Sequence, residues 1–320
     1  MHASSDGSGR REIFIRYDKN PILSAADWPY AVNAVFNPAA IAYDGETLLL
    51  VRVEGMDGLS HLTVARSRDG KAGWRIDSSP TLRPDDESFP EEVWGIEDPR
   101  IVKLDELGEY GIVYTSFSFQ GPSVSLALTK DFRTFHRKGL IMIPENKDAS
   151  LFPRRIRERW ALLHRPVQVY AERAHIWISY SPDLRHWGDH TVVMETRKGG
   201  WWDACKVGIG PQPLETSEGW LIIYHGVRQT AAGYIYHAGL ALLDLDDPRK
   251  VIRRTRDWVF GPKEDYERVG DVPGVVFPCG VVMDEDADEL RLYYGAADTT
   301  VALATAKLRD LIDYLKTCPE

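Results

Sequence analysis

The chain has 320 residues, 43% of them hydrophobic, 11% aromatic and 27% charged, with a formal net charge of −9. This length suits one large all-β domain, and the apolar share is ample for a packed core. The acidic balance excludes a general nucleic-acid or anionic-membrane surface, since either needs a basic face, but leaves room for a small basic pocket that takes one anion.

The opening segment, MHASSDGSGRREIF, lacks the apolar stretch of a signal peptide, and no run approaches membrane-spanning length. Residues 1–12 are expected to be a flexible tail and residues 13–320 a single catalytic domain. From there the chain repeats itself five times, at intervals of about sixty residues. Each copy has an element with a proline near its start, an apolar run read as a strand, and a downstream element. In the first copy these are NPAAIAY at Pro38, LLLVR ending at Arg52 and ARSRDG from Ala65. The second has DPRIVKL at Pro99, GIVYT ending at Thr115 and ALTKDF from Ala127. The third has FPRRI at Pro153, ALLHR ending at Arg165 and SYSPDL from Ser179. The fourth has GPQPL at Pro211, LIIYH ending at His225 and ALLDLDDP from Ala241. The fifth has FPCGVVM at Pro278, RLYYG ending at Gly295 and ALATAKLRDL from Ala302.

Each copy reads as strands joined by polar turns and is too small to bury both of its faces alone, so the copies must pack on one another. A solenoid is disfavoured because the copies lack a rigid consensus and polar capping repeats. The predicted fold is all-β, a five-bladed β-propeller. The terminal KLRDLIDYLKT has apolar positions Leu308, Leu311, Ile312 and Leu315 at helical spacing and predicts one packed C-terminal helix.

In a propeller the first strand of each blade lines the channel, so equivalent positions form rings. Just before the prolines stand Asn37, Asp98, Phe152, Gly210 and Phe277; at the ends of the second strands stand Arg52, Thr115, Arg165, His225 and Gly295. Singly, Asp98 can cap a turn, the arginines can be surface ion pairs and His225 can be a core histidine. Together they place a carboxylate, a carboxamide, two guanidinium groups and an imidazole at one end of one channel. Lys147 and Lys206 precede channel strands and add positive charge, which calls for an anion such as phosphate. Trp201, Trp202, Tyr234 and Tyr236 offer flat faces for a sugar ring, or for core packing. The cysteines Cys205, Cys279 and Cys318 form no disulfide framework and no metal motif, and the histidines form no ligand cluster. No metal or cofactor is expected, and the location expected is cytoplasmic.

The run GIEDPRI from Gly95 to Ile101, the segments LFPRRI, LLHRP, CKVGIGPQP, GWLIIYHGV and ERVGDV, and finally YYGAADTTVALATA resemble glycoside hydrolase family 130, in the family's order and from about Asn37 onward. The resemblance implies inverting phosphorolysis of β-mannosides, β-1,4- or β-1,2-linked, to α-mannose 1-phosphate, with inorganic phosphate as co-substrate. It implies that Asp98 is the general acid, reaching the glycosidic oxygen through a hydroxyl of the mannose. Asn37, Arg52 and Asp298 would hold the mannosyl unit, with Trp202 added as a stacking face. Lys206, Arg165, His225 and Tyr236 would receive the phosphate, with Lys147 beside them. Family phosphorylases often carry Arg-Asn where this chain has Lys147-Asp148, which keeps one positive charge, loses its bidentate fork and adds a negative charge. Members of the family often associate, so a homo-oligomer is a possible state. Hydrolysis of the same β-mannosides is the alternative activity, with Glu97, Asp203 or Asp148 as the base it would need. A carbohydrate-binding propeller without catalysis is the alternative of another class.

Overall fold

The run Leu48-Leu49-Leu50-Val51 is apolar at every position because the strand it forms is buried on both faces. Leu48 and Leu50 pack toward the next blade, while Leu49 and Val51 pack toward the last one. The computed structural model describes residues 12–167, 173–284 and 286–319. Strand β1 (Ile15–Arg16) is followed by a first blade of β2 (Ala34–Tyr43), β3 (Glu46–Glu54), β4 (Ser60–Ser67) and β5 (Arg75–Ile76). The second blade is β6 (Ile96–Leu104), β7 (Glu109–Ser118), β8 (Gly121–Thr129) and β9 (His136–Met142). The third is β10 (Asn146–Leu151), β11 (Trp160–Pro166), β12 (Ile176–Ser181) and β13 (Gly188–Met194). The fourth contains β14 (Lys206–Ile209), β15 (Leu214–Thr216), β16 (Gly219–Thr230), β17 (Gly233–Leu243) and β18 (Val251–Arg254), with β14 and β15 both paired to β16. A four-residue helix, α1 (Asp265–Arg268), precedes the fifth blade of β19 (Val276–Asp284), β20 (Glu289–Ala296) and β21 (Thr300–Lys307).

All ladders within the blades are antiparallel, and β1 pairs with β21, so the chain's first strand completes its last blade. The hydrophobic core is divided accordingly. Five apolar clusters lie one between each pair of neighbouring blades, and the cluster between the fourth and fifth also takes in helix α2 (Leu308–Thr317). Leu311, Ile312 and Leu315 of that helix are buried, as their spacing predicts. Among the described residues no helix is long and apolar enough to cross a membrane. The tail expected over residues 1–12 lies outside the described residues except for Glu12, whose carboxylate accepts a hydrogen bond from Arg16.

Turn chemistry explains the repeating downstream elements. In the first three blades Asp69, Asp131 and Asp183 each follow a Ser or Thr by two residues and accept two backbone N–H groups through one carboxylate oxygen. In the fourth blade Asp244, preceded at that spacing by Leu242, also accepts two backbone N–H groups through one oxygen. These are Asx turns, and they reverse the chain at the end of the blade opposite the site described below.

The inner strands carry the feature that matters for function. Beta-bulges interrupt β2 after Phe36, β6 after Glu97 and β10 after Lys147. The next residue in each, Asn37, Asp98 and Asp148, has φ of 45°, 47° and 50°. Asn and Asp are the side chains that best tolerate this left-handed geometry, which turns each of them out of the regular ladder. The third member of the inner ring is therefore Asp148, not Phe152. Phe152 lies past the end of β10, edge-on to Trp220 in the core between the third and fourth blades. In the other two blades Gly210 and Phe277 stand one residue to either side of the ring position.

Closure rests on Glu267, which is fully buried. Arg16 donates to both of its oxygens at 2.8 and 3.0 Å, Tyr294 donates at 2.8 Å, and the backbone N–H groups of Lys263 and Glu264 donate at 2.7 and 2.9 Å. Glu267→Ala removes the bidentate partner of Arg16, leaving it Glu12 and the Gly261 carbonyl, and is expected to lower the free energy of unfolding by about 3–5 kcal/mol. Denaturant unfolding checks this; a loss under about 1 kcal/mol would show that closure does not depend on this pair.

Candidate active site

Asp98 is buried at the channel end of the second blade. Asn37 Nδ2 donates to its Oδ1 at 2.8 Å, and Arg52 Nη1 donates to the same oxygen at 3.1 Å. Both donors come from the first blade. Arg52 also donates from Nη2 to Glu97 Oε1 at 3.1 Å and from Nε to Ser60 Oγ at 3.0 Å, and its guanidinium lies over the Phe36 ring. Behind Asp98, the buried Arg100 donates to its backbone carbonyl at 2.9 Å and to that of Gly210 at 2.5 Å, bracing the second blade against the fourth. Burial opposes ionisation of Asp98, yet Arg52, Arg100, Lys147 and the Asn37 hydrogen bond hold its carboxyl below the ordinary value. For Glu97 burial wins over the pull of the same Arg52, and its carboxyl is raised. Asp298, at the turn between β20 and β21 with φ 51°, is pushed up to about 6 by burial and by the charge of Asp98.

A second cluster forms where the third and fourth blades meet. Arg165 pairs across the ladder with Lys147, and His225 with Gly208. Asp148 Oδ2 lies 2.7 Å from Arg165 Nη2 and 3.2 Å from His225 Nε2. Burial opposes its charge, but Arg165, the His225 ring and Lys147 together hold Asp148 ionised, far below the usual carboxylate range. Burial lowers His225 despite Asp148, which favours a neutral imidazole; its ring lies 4.6 Å from Phe277 and 5.9 Å from Tyr236. Burial, together with Asp148 and Asp298, pushes the Tyr236 hydroxyl up to about 12. Lys206 and Tyr236 both pair with Val227, on either side of β16. Burial and the charges of Arg165 and Lys147 lower the Lys206 ammonium.

Two glycines make these contacts possible. A Cβ on Gly295 would stand 1.8 Å from Asn37 Oδ1, and one on Gly208 would stand 2.4 Å from His225 Cε1 and 2.5 Å from Asp148 Oδ2. Several buried atoms of the site have no hydrogen-bond partner among the described residues: Asn37 Oδ1, Arg165 Nε, both carboxylate oxygens of Asp148 and both ring nitrogens of His225, although Asp148 Oδ2 lies within ion-pair distance of Arg165 and His225. Buried polar atoms left this way call for a polar ligand.

The structure thus brings Asn37, Arg52 and Asp298 around Asp98, and Lys147, Arg165, Lys206, His225 and Tyr236 around Asp148. It does not bring Trp202 to a sugar face. That ring stacks on Tyr224 at 5.5 Å in the core between the third and fourth blades, fills the space over Gly226 and Gly239, and donates its N–H to the Arg256 carbonyl. Asp203 is locked as well: Arg197, Arg254 and Tyr224 all donate to its Oδ2. Glu97 and Asp148, which the sequence offers as bases for hydrolysis, instead pair with Arg52 and with Arg165 and His225, and the contact of Arg100 with the Asp98 carbonyl has no signal in the sequence. The signal for Asp148 was present. FNPAA, EDPRI and KDASL share a small side chain in register, which alignment on prolines hides.

A five-bladed propeller whose channel end sets one acid's cluster beside a pocket of cations defines an enzyme that handles a polar substrate together with an anion. The chain belongs to glycoside hydrolase family 130. The family model, described as beta-1,4-mannooligosaccharide phosphorylase, matches residues 15–317. The chain is 34% identical over 313 residues to the β-1,4-mannooligosaccharide phosphorylase of Ruminococcus albus, covering 96% of this chain and 92% of that protein. It superposes on the β-1,2-mannobiose phosphorylase of Listeria innocua in complex with β-1,2-mannobiose with a TM-score of 0.86 at 32% identity, covering 95% and 99% of the two chains. A structure representing GH130 glycoside hydrolases that target β-1,2 mannosidic linkages in Candida mannan superposes with a TM-score of 0.81 at 25% identity, covering 92% of this chain and 94% of that one.

The raised carboxyl of Asp298 has a consequence for stability. Its contribution is fully present below about pH 4, where folded and unfolded states are both protonated, and is lost as pH rises through about 6. Asp298→Asn is therefore expected to stabilise the protein by about 1–3 kcal/mol near pH 8 and to change it little near pH 4. Unfolding curves at the two pH values check this; equal effects at both would contradict it.

Proposed function

We propose that the protein is an inverting β-mannoside phosphorylase, converting a β-mannoside and inorganic phosphate into α-mannose 1-phosphate and the shortened sugar. The observation that carries this reading is the division of the site into two clusters. One gathers Asp98, Glu97 and Asp298 around Asn37 and Arg52, and the other gathers Lys147, Arg165 and Lys206 beside His225 and Tyr236. Inverting hydrolysis needs a second carboxylate as base to activate water, whereas phosphate arrives as an anion and needs only to be positioned. Of the three carboxylates offered for that base, Asp203 is taken by Arg197, Arg254 and Tyr224, and Asp148 by Arg165 and His225. Glu97 shares the Arg52 that holds the acid itself.

In this reading Asn37 Oδ1, Arg52 and Asp298 hold the mannosyl hydroxyls, and Asp98 delivers the proton that leaves with the glycosidic oxygen. The electron pair of the breaking C–O bond stays on that oxygen, while a phosphate oxygen forms the new bond on the opposite face of the anomeric carbon. Asp98 must be protonated for this, although the free site holds it ionised. Lys147 supplies the link, because its charge pulls on both Asp98 and Asp148. A bound phosphate dianion offsets that pull and raises the acid, so the proton arrives with the nucleophile. The free cysteines Cys205, Cys279 and Cys318 support a cytoplasmic setting.

The test is release of mannose 1-phosphate from β-1,4- and β-1,2-mannobiose with phosphate present. Asp98→Asn is expected to lower turnover by about 10²–10⁴-fold with the fold intact by circular dichroism. Equal sugar release with and without phosphate would sink the reading in favour of hydrolysis.

A further inference from the structure

Asp148 poses a physical problem in an anion pocket. Its residue is 2% exposed, and ion pairing with Arg165 and His225 keeps it charged. An ionised carboxylate is an acceptor only, and a second anion placed against it is repelled. Yet the ion-pair contacts run to Oδ2, and Oδ1 is buried with no donor from any described residue. A buried acceptor of this kind lowers affinity for every ligand except one that brings its own donor. Among tetrahedral oxyanions at neutral pH, hydrogen phosphate carries an O–H and sulfate does not.

We propose that Asp148 is the anion-specificity residue of this pocket: its free oxygen accepts a hydrogen bond from the protonated oxygen of hydrogen phosphate, which admits phosphate and excludes sulfate. The proposal rests on the reading of the Lys147, Arg165 and Lys206 pocket as a phosphate site. Arg165 Nε, also unpartnered and a donor, is left for an unprotonated oxygen of the anion. The contact has a mechanistic use as well. Tying the single O–H to Asp148 leaves the unprotonated oxygens for the cations and for attack on the anomeric carbon. The carboxylate also cancels one of the three cationic charges, which lowers the pocket's attraction for anions in general. Discrimination by an unpaired buried group is large, about 10⁴–10⁵-fold where a site is built around one hydroxyl.

Two alternatives make different predictions. If Asp148 serves only to clamp Arg165 and His225, its replacement weakens all anions together. If it is neutral in effect, sulfate already competes in the unaltered protein. The experiment is calorimetric titration of the full chain, with saturating mannose present, using inorganic phosphate and then sulfate as separate probes. Sulfate is expected to bind at least about 100-fold more weakly than phosphate. In Asp148→Asn, whose side chain can donate, the ratio is expected to fall to within about tenfold, through tighter sulfate and weaker phosphate. Lys206→Ala is expected to weaken both anions and leave the ratio unchanged. Sulfate binding within tenfold of phosphate in the unaltered protein overturns the proposal, as does an Asp148→Asn protein that still discriminates by 100-fold. These readings need no turnover. Discrimination without phosphate-dependent cleavage would leave the proposal standing and remove the phosphorylase reading, while cleavage without discrimination would do the reverse.

Discussion

Two ionised carboxylates are buried at one end of a β-sheet channel, and the surrounding structure follows from the need to keep them charged. Removing such a group from water costs several kcal/mol, while a neighbouring cation at about 4 Å returns about 4 kcal/mol at the effective dielectric of such sites. One cation barely balances one carboxylate. Asp98 therefore has Arg52 and Arg100 with the Asn37 amide, and Asp148 has Arg165 and the charge of Lys147 with the His225 ring. Glu97 shares Arg52 with Asp98 and has no cation of its own in contact, so burial raises it instead. One guanidinium divided between two carboxylates thus sets their affinities for protons apart, leaving one ionised and the other nearer to protonation.

The propeller supplies this balance because each blade presents its second strand to its own bulge and to the neighbouring blade's. Arg52 reaches from the first blade to Asp98 in the second, and His225 from the fourth to Asp148 in the third. The bulged, left-handed positions turn Asn37, Asp98 and Asp148 into the channel end, and Gly295 and Gly208 leave the space their partners need. Packing between blades is correspondingly apolar, and buried charges away from the bulges, such as Glu267 and Asp203, are each paired with arginine.

Much of this was legible in the chain before any coordinates. Strands buried on both faces produce continuous apolar runs, so LLLVR, LIIYH and RLYYG announced five copies. The ends of those runs are ladder partners of the inner strands, so Arg52, Arg165 and His225 fell into one ring. What was hidden depends on local backbone geometry. The bulge position is followed by Pro38 and Pro99 in the first two blades but by Ala149 in the third, so alignment on prolines lands on Phe152, four residues past Asp148. Trp202 was offered to a sugar because an indole beside a site looks alike in sequence whether it stacks on a ligand or on Tyr224. The pairing of Glu97 with Arg52, and of Arg100 with the Gly210 carbonyl, joins residues of different blades whose contact no spacing encodes.

In the proposed reaction one acid and a phosphate held on the opposite face of the sugar act together, without a carboxylate that activates water. Stereochemistry reads this directly. Proton and phosphorus NMR of the first product formed from a β-mannobiose in phosphate buffer should show α-mannose 1-phosphate appearing in step with loss of the disaccharide. Free mannose as the first product, or a β-configured phosphate, would contradict it.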